Sequence, residues 1–299
     1  MIKSVTAKYV KQHGFCTFAS PDKTMAILTL TTDYGTADHH VASVKGAVYK
    51  QLPDARIVDI SHSVSPFDIA EAAFQLRQCY AHFAKGTVHL IGVNAQFSEN
   101  APHRIAEYDG HFFIAADAGV FSLIFDREPD AVFDINLPSD SDILTFPVLH
   151  ILVNAACHLM RGGTPEVISK HVDSIHVAQR LRPLLEEDAI RGHVIYVDRF
   201  GNLVTDIMNT LFKEVRKERD FTIQLRTGKT RISKISTHYN EVAEGERVAL
   251  FNTNGNLEIA INKGAPGNGG GASQLFGLRK GDLILIIFHG RTHRQNDFS

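Results

Sequence analysis

Between Met25 and about Lys170 short β-rich runs alternate with stretches of helical texture, a pattern that calls for a sheet covered by helices. Ile27 to Thr31 reads as a buried strand, Val41 to Gln51 as a helix, Ala55 to Asp59 as a strand, Pro66 to Phe83 as a helix and Thr87 to Val93 as a strand. His111 to Ala115 with Gly119 to Ile124 reads as a strand and a short helix, and Ile151 to Gly162 as a further helix closed by Gly162-Gly163. The expectation is an α/β N-terminal domain with a mostly parallel sheet over 25–185. Beyond Arg180 the texture changes. Val194 to Asp198, Phe221 to Leu225, Thr230 to Ile235, Arg247 to Phe251, Leu257 to Ile261 and Asp282 to Phe288 are short β-rich runs between Gly, Asn and Asp turns. They predict a smaller β-barrel C-terminal domain over 192–299, with the boundary in the polar stretch from Leu181 to Gly192.

Ligands of open α/β sheets sit beyond the carboxyl ends of the strands. Leu30-Thr31-Thr32-Asp33-Tyr34-Gly35, a strand that stops on an acid and a glycine, is therefore the first candidate, and Ile57 to His62 is a second strand with a polar end. Asp33 either faces a ligand or only caps the following turn. Val197 to Thr205 places an acid, a ring and an amide together in Asp198-Arg199-Phe200-Gly201-Asn202. An amino-acid-bearing nucleoside needs those groups: a counter-charge for its ammonium, a stacking face, and donors and acceptors for a base edge. Thr237-His238-Tyr239 offers a second aromatic surface, and Leu257 to Gly264 leads into a glycine-rich loop.

The 299 residues carry 31 basic and 33 acidic side chains, a formal net charge of -2, and no basic tract. That gives no electrostatic footprint for nucleic acid or an anionic membrane and points to a small-molecule ligand. Cys16, Cys79 and Cys157 are too scattered for a disulfide framework or a zinc ribbon and fit a reducing cytoplasm. No apolar run approaches a membrane span, and residues 1–24 lack the apolar stretch of a signal peptide. Met25 stands directly before the first strand, so 1–24 reads as an extension that is not native, with a surface arm as the alternative. His39 and His40 beside Asp38 invite a metal, but neighbours at a helix start point apart, so no metal is expected. Gly267 to Gly271 lacks the lysine and hydroxyl of a phosphate-binding loop.

Taken in order, Thr31-Thr32-Asp33-Tyr34-Gly35, Lys45-Gly46, Asp59-Ile60-Ser61-His62, Asp198-Arg199-Phe200-Gly201-Asn202 and Leu257-Glu258-Ile259-Ala260-Ile261-Asn262 resemble the S-adenosylmethionine hydroxide adenosyltransferases, relatives of the fluorinases and chlorinases. The resemblance runs from Met25 to about Phe288. It implies hydrolysis of S-adenosylmethionine to adenosine and methionine without a separate cofactor, in a homotrimer whose ligand lies between the N-terminal domain of one subunit and the C-terminal domain of the next. It implies that Asp33 holds the ribose diol with Phe67 beside it, and that Asp198 pairs with the ammonium. Phe200 and Tyr239 would sandwich adenine, Asn202 would read its edge, and Thr253 would lie near the amino-acid end. The competing readings are core packing for Phe67 and Phe200 and plain turn chemistry for Asp198 and Asn202.

The departures from the family concern catalysis. The hydrolases' aspartate after the third strand is Asn94 here, where the halogenases have a tyrosine, and Arg104 is the candidate for a downstream arginine. The family's histidine falls on Pro147, Asp117-Ala118-Gly119 lacks its asparagine, and the loop from Gly264 to Ala272 is longer. Asn94 orients water but cannot take its proton. His89, His103 and His150 are the substitutes by proximity in sequence. A non-catalytic adenosyl-ligand binder, and an enzyme for another nucleophile, are the alternatives to hydrolysis.

Overall fold

The computed structural model describes residues 26–136, 145–225 and 230–290. The 1–24 extension, Cys16 and Met25 lie outside the described residues. The first domain contributes β1 (Ile27–Thr32), α1 (His40–Gln51), β2 (Arg56–Ser61), α2 (Ile69–Arg77), β3 (Val88–Gly92), β4 (His103–Tyr108), β5 (His111–Ala116), α3 (Val120–Ile124), β6 (Ala131–Ile135), α4 (Val153–Met160) and β7 (Ser169–Val172). Its sheet has the order β2-β1-β3-β5-β4-β6-β7.

Parallel pairing stops at β5, since β4 lies antiparallel to β5 and to β6, and β6 antiparallel to β7. The sheet is mixed, which corrects the mostly parallel expectation. The cause is local: Asp109 and Gly110 both adopt positive φ, 51° and 74°, and close a two-residue hairpin turn between β4 and β5.

Strand alternation sends Leu28, Leu30, Val88 and Leu90 to one face, where they pack with α1 and α4, while Ile91, Val93, Phe113 and Ala115 meet α2 and α3 on the other. The helix expected from Pro66 begins at Ile69 instead, because Asp68 caps it by accepting from the Glu71 N–H at 3.0 Å. Pro66 and Phe67 are left in the preceding turn, which decides where Phe67 points.

A strap then runs from the end of β7 along the first domain. Fully buried Asp117 accepts from Arg104 Nη1 at 2.8 Å and from the His176 N–H at 2.9 Å. Arg104 also donates to Asp134 at 2.6 Å and to the Ser174 carbonyl at 3.1 Å. The Ala178 N–H donates to Ser122 Oγ at 2.9 Å, and the Arg180 guanidinium sits on the Ser122 and Phe125 carbonyls.

The second domain comprises β8 (Leu184–Glu186), β9 (Ala189–Val197), β10 (Leu203–Met208), α5 (Asn209–Arg216), β11 (Asp220–Leu225), β12 (Thr230–Ile232), β13 (Arg247–Phe251), β14 (Asn256–Ile261), α6 (Ala272–Phe276) and β15 (Leu283–His289). Its strands run β12-β11-β15-β9-β10-β14-β13, all antiparallel, with β8 on β9. Arg247 Nε reaches from β13 to the Arg231 carbonyl on β12 at 3.2 Å, so the sheet nearly closes into a barrel around Ile190, Leu203, Ile223, Leu257 and Ile286. The domains touch where Phe74 packs on Tyr196, ring centroids 4.9 Å apart, and where Lys280 meets Asp68. No helix among the described residues is long and apolar enough to cross a membrane.

One buried group makes stability depend on pH. His89, on β3, lies with Nδ1 2.7 Å from Thr29 Oγ1 and Nε2 3.3 Å from His111 Nδ1. Burial first, then the neighbouring His111, pulls its pKa from 6.5 down to about 3. The unfolded chain therefore takes the proton first. The contribution is complete above pH ~6.5 and is lost as pH falls toward ~3, by about 2 kcal/mol at pH 5. Urea unfolding of wild type and His89→Leu at pH 7 and pH 5 checks this. The variant's loss between the two pH values should be smaller by about that amount, and an equal loss would clear His89 of the effect.

Candidate functional site

Residues predicted for the site fall into two groups, one on each domain. On the first domain β1 pairs in parallel with β2 and β3, and the register aligns Thr31 with Ser61 and Thr32 with Gly92, so three strands end on one edge. The turn after β1 is fixed by the Gly35 N–H donating to the His62 carbonyl at 2.6 Å. Behind it, His62 Nδ1 lies 2.8 Å from Thr32 Oγ1, its Nε2 lies 3.1 Å from Asp59 Oδ1, and Lys45 Nζ donates to Asp59 Oδ2 at 2.6 Å. That chain ties together the Lys45 and Asp59-to-His62 motifs read in the sequence.

Asp33 Oδ2 accepts from the Phe67 N–H at 2.9 Å. Phe67 is held at φ 65°, a left-handed conformation that costs a non-glycine residue about 1 kcal/mol or more. Its ring is 69% exposed, which removes the core-packing reading. The arrangement displays an apolar face beside a carboxylate that keeps acceptor capacity.

Asn94, just past β3, also has positive φ, 48°, which Asn tolerates well. A Cβ added to Gly92 would come within 3.3 Å of Val148 Cγ2 and 3.4 Å of the Tyr34 hydroxyl. The Tyr34 ring packs on Phe146 and His40 at centroid distances of 5.5 and 5.6 Å. Asn94 and Pro147 thus belong to neighbouring segments at the same sheet edge. Arg104 does not join them: its guanidinium is committed to Asp117, Asp134 and the Ser174 carbonyl. His89 lies in the core, and His103 is buried with Nε2 3.0 Å from the Ala95 carbonyl. His39 and His40 stack at 4.5 Å, and among the described residues no group of metal-ligating side chains has the disposition to hold an ion.

On the second domain the β9–β10 turn is built around Asp198. Its Oδ1 accepts from the N–H groups of Phe200 and Asn202 at 2.8 and 2.9 Å, and its Oδ2 accepts from Asn202 Nδ2 at 2.9 Å. Turn chemistry is therefore real here, and it leaves the Phe200 ring 59% exposed. The glycine-rich loop seats on this turn: a Cβ on Gly271 would lie 2.2 Å from the Phe200 carbonyl oxygen, and the Ser273 N–H donates to the Gly201 carbonyl at 2.8 Å. Only glycine permits that backbone contact. Partly exposed Tyr239 donates from its hydroxyl to Glu258 Oε1 at 2.6 Å. Thr253 is exposed on the β13–β14 turn, next to Asn252, whose side chain accepts from the Asn254 and Asn256 N–H groups.

On the second domain Asp198, Phe200 and Asn202 form one unit and Tyr239 with Glu258 another, within reach of the Asp198 charge. On the first Asp33 pairs with Phe67, but no hydrogen bond or ion pair among the described residues joins Asp33 or Phe67 to the second-domain residues. A cleft of about 500 Å³ between the domains, lined by Phe74, Gln78, Phe83 and Tyr196 among others, takes in Asp59 and Ser61 of the second strand end but none of the residues assigned to the ligand above. The sequence alone gives Glu258 no role. A glutamate in the apolar run Leu257-Glu258-Ile259-Ala260-Ile261 is the signal that marks it.

Comparison with known proteins agrees with this two-part layout. The family models of the SAM hydroxide adenosyltransferase N-terminal and C-terminal domains match residues 28–169 and 192–285. The chain belongs to the SAM hydroxide adenosyltransferase family. Within it, the chain is 28% identical over 270 residues to the (R)-S-adenosyl-L-methionine hydrolase of Thermus thermophilus, covering 86% of this chain and 97% of that protein. It is 25% identical over 252 residues to the enzyme of the same name from Methanocaldococcus jannaschii, covering 80% and 89%. A solved structure of an uncharacterized conserved protein from Thermotoga maritima superposes with a TM-score of 0.77 at 27% identity, covering 87% of this adenosyltransferase-family chain and all of that one.

Proposed function

We propose that the protein hydrolyses S-adenosylmethionine to adenosine and methionine at a site completed by a second copy of the chain. The observation that supports this most is the pair of exposed rings, Phe67 and Phe200, each beside a structured carboxylate, on two domains that both match the family. In a homotrimer Asp33, Phe67 and Asn94 of one subunit face Asp198, Phe200, Asn202, Tyr239 and Thr253 of its neighbour. Asp33 accepts from the ribose hydroxyls, Phe200 and Tyr239 stack on adenine, Asn202 reads its edge and Asp198 meets the ammonium. Water orientated by Asn94 forms the new bond to the 5′ carbon in line with the breaking carbon–sulfur bond. Methionine leaves as a neutral thioether, and the proton of water passes to solvent. A cytoplasmic setting suits the free thiols of Cys79 and Cys157.

Asn94 and Pro147 favour one second reading, a binder of adenosyl ligands without turnover, since neither side chain can accept a proton. Adenosine release followed by chromatography separates the two. The expected result is slow release, S-adenosylmethionine affinity in the micromolar range, about 7 to 8 kcal/mol, and a trimer by light scattering. Asp198→Ala should weaken the amino-acid-bearing ligand more than adenosine. Binding without release would favour the second reading. Absence of both release and any ligand-induced melting shift would sink both, and a monomer at micromolar protein would refute the composite site.

A further inference from the structure

β14 carries a carboxylate to which the reading above gives no task. Glu258 is 5% exposed, and its strand neighbours Leu257, Ile259 and Ala260 are buried and apolar. Its Oε1 accepts from the Tyr239 hydroxyl at 2.6 Å, and Asn252 Nδ2 lies 3.5 Å from Oε2. Burial, and then the negative charge of Asp198, hold the Glu258 carboxyl above the usual glutamate range. Burial and the contact with Glu258 likewise push the Tyr239 phenol up, so the tyrosine remains the donor in the pair. The partners of Asp198 are the turn's own amides, and among the described residues no lysine or arginine pairs with Asp198 or Glu258. Two carboxylates in one another's field favour a cation between or beside them.

We propose that Glu258 is a specificity-determining residue of this site: it fixes the Tyr239 ring as a stacking wall and adds a second negative charge beside Asp198, so that adenosyl ligands with a cationic arm are taken in preference to neutral adenosine. This rests on the adenosyl reading of the site. It assigns Glu258 a part in choosing the ligand and none in the bond-making step.

The test compares two ligands that the protein cannot hydrolyse, adenosine and sinefungin, which carries an amine in place of the sulfonium. Calorimetric titration of wild type and Glu258→Gln removes the charge while leaving an oxygen to accept from Tyr239. Sinefungin affinity should fall about tenfold and adenosine affinity should stay within about twofold. Tyr239→Phe keeps the charge and frees the ring, so both ligands should weaken alike and their ratio should hold. It also keeps the test decisive if Glu258→Gln fails to fold. Equal losses or no loss for the two ligands in Glu258→Gln, or a changed ratio in Tyr239→Phe, would overturn the role of Glu258 while leaving the site intact. Wild type that binds neither ligand would overturn the adenosyl reading and this proposal with it.

Discussion

Asn94→Asp combined with Pro147→His raises adenosine release from S-adenosylmethionine by roughly 10²- to 10⁴-fold, the usual worth of a positioned acid or base. The reasoning starts from geometry. Gly92, two residues before Asn94, lies against Val148, one residue after Pro147, so the pair restores an acid and an imidazole to one sheet edge. The backbone at both positions accepts the change. Asn94 sits at φ 48°, a region that Asp shares with Asn, and Pro147 has φ -59° and ψ -34°, which histidine adopts without strain. Chromatographic rates for wild type, both single variants and the double variant, at equal protein and substrate, supply the measurement. Fast wild-type hydrolysis that both substitutions slow would mean that another group activates the water.

Arg104→Ala has its large effect on folding. Removing the guanidinium leaves Asp117, with no solvent exposure, as an uncompensated buried charge, and frees Asp134 and the Ser174 carbonyl as well. Breaking a buried pair from one side costs about 3–5 kcal/mol. Urea unfolding should show a midpoint lowered accordingly, with the transition slope unchanged. Arg104→Ala with wild-type stability and abolished turnover would instead return Arg104 to the reacting carbon.

How far the sequence carried depended on whether a segment's structure was local. β1, α1, β13 and β14 were legible to within a residue or so, because a short buried strand or an amphipathic helix announces itself by period. β4 was missed although Asp109-Gly110 is a strong two-residue hairpin signal, and missing it made the sheet look parallel. The sequence reads Phe67 as part of the Pro66 to Phe83 helix. The cap at Asp68 and the bond from its own N–H to Asp33, thirty-four residues away, set its conformation instead. The sequence showed Asp198, Phe200 and Asn202 as one unit since a single turn holds them. It could not show that Tyr239, in the segment before β13, reaches Glu258 on β14, or that Gly271 lies on Phe200, since those contacts exist only once β10, β13 and β14 are paired.

The strap between the domains has a consequence for assembly. A free tether of this length would let the barrel sample many orientations, a freedom that the composite site proposed above would have to remove. Here His176, Ala178 and Arg180 are bonded along the first domain before the chain enters β8. The connection acts as a bracket that fixes where the chain leaves the first domain and enters the second. For the trimer proposed above, association would begin from a preorganised part, with less ordering entropy left to lose than in a chain whose halves swing freely.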